Sequence, residues 1–84
     1  MRITLEIMFR MGGVKFRGYR WENNTLIFEF ERMGDVFIQV LSRKRVSVDV
    51  EKRPEKVVVE LLTKSGVKRY SAVEKNGVYL ATEL

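Results

Sequence analysis

The sequence contains no cysteine and no histidine. Those absences exclude a disulfide framework, a zinc finger, a thiol nucleophile and an imidazole base. Proline occurs once, at Pro54, and glutamine once, at Gln39. No run approaches the roughly 20 apolar residues that a membrane helix needs. The opening residues, MRITLEIMFR, alternate in polarity and build no signal-peptide core. The expectation is a cytoplasmic protein without a membrane partner. No dense acidic loop suggests a hard cation, so neither a metal nor another cofactor is expected.

What is present is charge and β-forming residues. Charged side chains make up 32% of the chain with both signs interspersed, a balance resembling that of thermophile proteins. Eighty-four residues leave room for one domain, 1–84, around one small core. The net charge is +5. Charges nearly cancel before Arg32 and after Lys56, and most of the excess falls on Arg43, Lys44, Arg45, Lys52, Arg53 and Lys56. Such an excess attracts nucleic acid, anionic membrane or acidic protein. Its plain alternative is a solvated surface that keeps a small protein soluble.

Val14–Phe30 holds Phe16, Tyr19, Trp21, Phe28 and Phe30, more than half of the aromatics. It reads as two strands joined at Asn23-Asn24, residues that tolerate the left-handed conformations of a tight turn. Gly18 decides its meaning. If the strand runs straight, Tyr19 and Trp21 stand outward with Lys15 and Arg17. If Gly18 marks a bulge, the parity flips and both aromatics turn inward. A small core's need for large apolar side chains favours the inward reading.

Elsewhere the period is two. Ile3, Leu5, Ile7 and Phe9 share one face of a first strand, and Gly12-Gly13 supplies a turn. Leu26, Phe28 and Phe30 alternate with Ile27, Glu29 and Glu31. Met33-Gly34-Asp35 reads as a turn, and Val36–Leu41 as the most deeply buried strand. Ser42–Arg45 reads as a polar turn, followed by a strand on Val46, Val48 and Val50. Pro54–Gly66 suits either a helix, begun by Pro54 and ended by Gly66, or a strand with Val57, Val59 and Leu61 inward. The strand is favoured, because TKSG resembles a hairpin loop. A faint echo of Leu5–Lys15 in Val59–Lys68 would also make Val57–Leu84 a repeat of an N-terminal three-strand meander. Asn76-Gly77 is the strongest hairpin signal in the chain.

These elements predict an all-β protein: a small antiparallel meander of about eight short strands, closed as a barrel or packed as a two-layer sandwich. The alternative is an α+β fold with a helix at 54–65. No residue pattern is specific enough to name a family.

Catalysis finds little support, and the expectation is that the protein is not an enzyme. Glu29, Glu31, Asp49 and Glu51 fall at outward strand positions, where solvated charges belong. Ser42, Ser47, Ser65 and Ser71 lack a base placed by motif. Gly12-Gly13-Val14-Lys15 lacks the spacing of a phosphate loop.

Two binding readings remain. In the first, favoured because it asks least of the residues, the protein is an interaction or assembly module with a protein partner or a second copy. Outward Met8, Ile27, Val58 and Leu62 would form an apolar patch, and open edges would permit strand pairing. The alternative is a β-barrel that binds single-stranded nucleic acid. Lys15, Arg17, Tyr19, Arg20 and Trp21 would form the basic–aromatic face, Lys68, Arg69 and Tyr70 a smaller copy, and Arg43, Lys44 and Arg45 would add phosphate contacts from a loop.

Overall fold

The computed structural model describes residues 1–10, 12–33 and 41–83. They form seven strands and no helix: β1 (Arg2–Phe9), β2 (Val14–Glu22), β3 (Thr25–Arg32), β4 (Ser42–Asp49), β5 (Lys56–Thr63), β6 (Gly66–Lys75) and β7 (Val78–Thr82). One sheet takes them in the order β2-β3-β5-β6-β7-β1-β4 and curls into a half-barrel. The all-β, barrel-like class therefore holds. The helix at 54–65 does not: β5 is a strand parallel to β3 and antiparallel to β6. Its burial alternates, with Val57, Val59 and Leu61 inside, and a helix could not offer those three to one sheet layer.

The alternating residues line the inside. Leu5, Phe9, Leu26, Phe28, Val59 and Leu61 have no exposed surface. Phe30 meets Phe9 edge-on at 5.2 Å between ring centres, and Phe16 packs against it, tilted, also at 5.2 Å. Such pairs add to burial because ring edges and faces carry opposite partial charge.

Several connections differ from a simple meander. β1 and β2 are not neighbours; β1 lies between β4 and β7, and its pairing with β7 is parallel. Gly12-Gly13 is therefore no hairpin turn. Gly13, at φ 75°, accepts a hydrogen bond from the amide of Met33 at 2.6 Å. A Cβ there would stand 2.7 Å from the Met33 carbonyl oxygen, so only glycine allows this approach. The C-terminal half of the suggested repeat is a true meander, β5-β6-β7, but the N-terminal third is not, and the echo has no structural counterpart.

Ser42–Arg45 is not a turn but the first half of β4, with Arg43 opposite Met8 and Lys44 opposite Ile7. Among the described residues β4 is an edge strand, where lysine and arginine are tolerated and discourage pairing with other chains. The expected strand at Val36–Leu41 and the turn at Gly34-Asp35 lie outside the described residues, apart from Leu41, which is exposed.

Gly18 is a bulge. The register slips between Phe16 and Gly18, and Tyr19 and Trp21 then pair with Phe28 and Leu26. Directly opposed residues share a face, so both aromatics turn to the core side. Trp21 packs half-buried against the core, whereas Tyr19 remains 42% exposed at the sheet's edge. Gly18 has φ 133°, which side-chain-bearing residues rarely adopt, although nothing crowds the site. Gly18→Ala should cost about 1–3 kcal/mol through backbone strain alone. Urea denaturation checks this, and a loss of that size without a change in m-value is the expected outcome.

Candidate functional site

The bulge separates the residues of the expected basic–aromatic face. Tyr19 and Trp21 look inward, and Arg20 looks outward beside Ile27. The arginines are then matched by carboxylates. Arg20 reaches Glu60 at 2.8 Å, Glu22 at 3.1 Å and Glu29 at 3.3 Å, while Arg69 reaches Glu60 at 2.6 Å and Glu22 at 3.5 Å. The register explains the cluster. Glu29 and Glu60 stand directly opposite on β3 and β5, a repulsive pair unless cations flank it. Burial alone would raise the Glu60 carboxyl pKa, but hydrogen bonds from Arg20 and Arg69 hold it below its ordinary value. The Glu60 hydrogen bond leads those that push the Arg20 pKa upward.

The other candidates divide in the same way. Arg17 meets Glu31 at 3.5 Å and Arg45 meets Glu6 at 2.8 Å. Tyr70 donates its hydroxyl to Glu83 at 3.1 Å. Burial, and then the Glu83 charge, push the Tyr70 pKa up to about 12. Trp21 carries Lys52 over its ring, 4.9 Å from the centre. Lys15, Arg43, Lys44 and Lys68 have no carboxylate partner among the described residues. No family model matches the chain, and no curated protein or solved structure matches it either.

The topology regroups these cations. Call the upper end of the half-barrel the one where β1, β3, β5 and β7 finish and β2, β4 and β6 begin. Arg10, Lys15, Arg17, Arg32, Arg43, Lys44, Lys64 and Lys68 belong to it, against the carboxylates of Glu31 and Glu83. In the middle, Arg20, Arg45 and Arg69 face Glu6, Glu29 and Glu60 one for one. At the lower end Arg2, Lys52, Arg53, Lys56 and Lys75 are matched in number by Glu22, Asp49, Glu51, Glu55 and Glu74. The side-chain charge excess of the described residues thus gathers at one end.

This arrangement differs from the order of charges along the chain. Lys52, Arg53 and Lys56, part of the basic excess in sequence, lie at the balanced end, where Arg53 reaches Glu74 at 3.2 Å. Arg10 joins the cationic end although the sequence reading missed it. Its position at the last residue before Met11-Gly12-Gly13, where β1 ends, was the available signal.

The expected apolar patch is also rearranged. Ile27 is 1% exposed, and Met8 and Val58 are half-buried, so only Leu62 of that set is open. Its cross-strand neighbour Val67 is exposed as well, and Val73 with Leu80 forms a second exposed pair. Among the described residues no group of acidic side chains is placed to hold a metal, and no helix is long and apolar enough to cross a membrane.

Proposed function

We propose that this protein is a non-catalytic binding module whose cationic end holds single-stranded nucleic acid by its phosphates. The observation that carries the reading is the collection of the charge excess at one end. Among the described residues no carboxylate pairs with the side chains of Arg10, Lys15, Arg43, Lys44 or Lys68 there, so a polyanion would gain contacts without breaking ion pairs. Lys44 shares the inner phase with Ile7 and Lys68 with Leu61, whereas Lys15 and Arg43 stand outward. The cations therefore follow a curved rim, which a flexible single strand can trace more readily than a stiff duplex. Tyr19, Trp21 and Tyr70 are not arranged as a stacking platform, so binding in this reading is insensitive to base identity.

Fluorescence anisotropy with a labelled single-stranded oligonucleotide tests this. Five phosphate contacts give a slope of log K against log salt of roughly −3.5, or about a hundredfold weaker binding between 50 and 200 mM salt. No binding at the lowest salt would end the proposal. Binding of an acidic protein without the oligonucleotide would transfer the cationic end to a protein partner.

A second reading, an assembly module, draws support from the exposed pairs Leu62–Val67 and Val73–Leu80. Both edge strands carry features that discourage strand pairing, the bulge in β2 and the basic residues of β4. Assembly would therefore use the faces of the sheet, and light scattering at micromolar concentration distinguishes a dimer from a monomer.

A further inference from the structure

At the lower end, away from the cationic rim, Tyr19 and Trp21 of β2 face Asp49, the last residue of β4, and Val50, Glu51 and Lys52 after it across an open recess. The Tyr19 hydroxyl donates to the Asp49 carbonyl oxygen at 3.3 Å and ties the two sides together. Trp21 and Tyr19 supply aromatic surface, and Val50 supplies an apolar, buried residue. Asp49 and Glu51 belong to the lining of the recess. Among the described residues Asp49 has only the exposed Arg2 as an ionic neighbour, at 4.0 Å, and Glu51 has no partner.

One occupant of this recess is already visible. The Lys52 ammonium lies 4.9 Å from the centre of the Trp21 ring and donates to Asn24 Oδ1 at 3.2 Å. A ring face attracts a cation because its π electrons carry negative charge, and adjacent carboxylates strengthen the attraction. The geometry points to a cation-binding recess in which Lys52 occupies the place of a lysine side chain supplied by a partner chain. The partner's ammonium would lie over Trp21 between Asp49 and Glu51, with its methylene stem along Tyr19 and Val50. Lys52 would then act as an internal competitor, displaced when the partner binds.

The inference is independent of the polyanion reading, since it uses none of the residues at the cationic end. Trp21 is the only tryptophan, so its emission reports on the recess alone. The experiment titrates the wild-type protein and Lys52→Ala with a short lysine-rich peptide, against sodium chloride at matched ionic strength. A saturable change in Trp21 emission is expected, with affinity at least threefold higher in Lys52→Ala. Asp49→Asn combined with Glu51→Gln should weaken it severalfold, while Lys15→Glu at the other end should not weaken it. No saturable response in Lys52→Ala, or one reproduced by salt alone, would overturn the proposal. A response to tetramethylammonium without one to the peptide would overturn the assignment to a lysine side chain.

Discussion

Replacing Glu83 with alanine is expected to cost about 3–5 kcal/mol, the usual penalty for removing one partner from a buried ion pair. Its carboxylate accepts from the Arg32 guanidinium at 3.2 Å, from the Tyr70 hydroxyl at 3.1 Å and from the Arg10 amide at 2.8 Å. The Arg32 side chain is only 13% exposed, and its Nε already lacks a partner. Without Glu83 a buried cation would be left uncompensated. Since small domains are stable by only about 5–15 kcal/mol, a fifth of the margin or more would go. Glu83→Gln should lose less, and Arg32→Met with Glu83→Leu should recover much of the loss. Urea denaturation of the three variants separates these outcomes.

The same cluster sets how stability depends on pH. Burial pushes the Glu83 carboxyl upward, but the Arg10 amide and the Arg32 guanidinium outweigh it and hold its pKa below the ordinary value of 4.5. A group with a depressed folded pKa adds stability above its unfolded value and loses it as pH falls through the folded one. Glu60 acts in the same direction. The urea midpoint should therefore hold from neutrality to near pH 5 and fall below 4.5. Tyr70 sets the alkaline limit. Its hydroxyl stays neutral in the fold to about pH 12 but ionises at 10 when unfolded, so stability falls as pH rises between them. Tyr70→Phe should flatten that alkaline decline, as measured by thermal melts across the range.

Reversing three charges at the cationic end, with Lys15→Glu, Arg43→Glu and Lys68→Glu, should weaken oligonucleotide binding on the order of a hundredfold or more at low salt. The fold should be unaffected. All three side chains are exposed and none takes part in an ion pair among the described residues, so the melting temperature should change little. The matching triple reversal at the balanced end, Lys56→Glu, Lys75→Glu and Arg2→Glu, should weaken binding far less. Equal losses from both sets would mean that net charge alone governs binding, and the end-specific reading would fail.

The contrast between these two sets shows what the sequence could convey. Period-two alternation identified the core of β1 directly, and that of β3 except for the buried Ile27, because side-chain phase is a local property; at β5 a helix fitted the residues as well, and pairing with β3 and β6 makes it a strand. Asn23 and Asn76 signalled their turns, and both adopt positive φ. Gly18 announced a choice whose answer depended on Phe30 and Glu29 across the ladder. Arg43–Arg45 read as a turn because three consecutive cations suit a loop, and only pairing with β1 makes them an edge strand. The candidate site was less legible for a related reason. Whether an arginine is available to a ligand depends on neighbours distant in the chain, as Glu60 is from Arg20. The nearest charges in sequence do not reveal it.

The parallel pairing of β1 with β7 has a consequence for how the chain reaches this structure. Thr4 sits opposite Val78 and Met8 opposite Thr82, so β1 acquires its inner neighbour only when the last strand arrives. Closing so long a loop costs entropy before the contact repays it, and folding rates fall as such distant pairings dominate. The hairpins β2-β3 and β5-β6 can form early from local contacts. During synthesis the apolar face of β1 must wait, uncovered on that side, until Val78–Thr82 has left the ribosome.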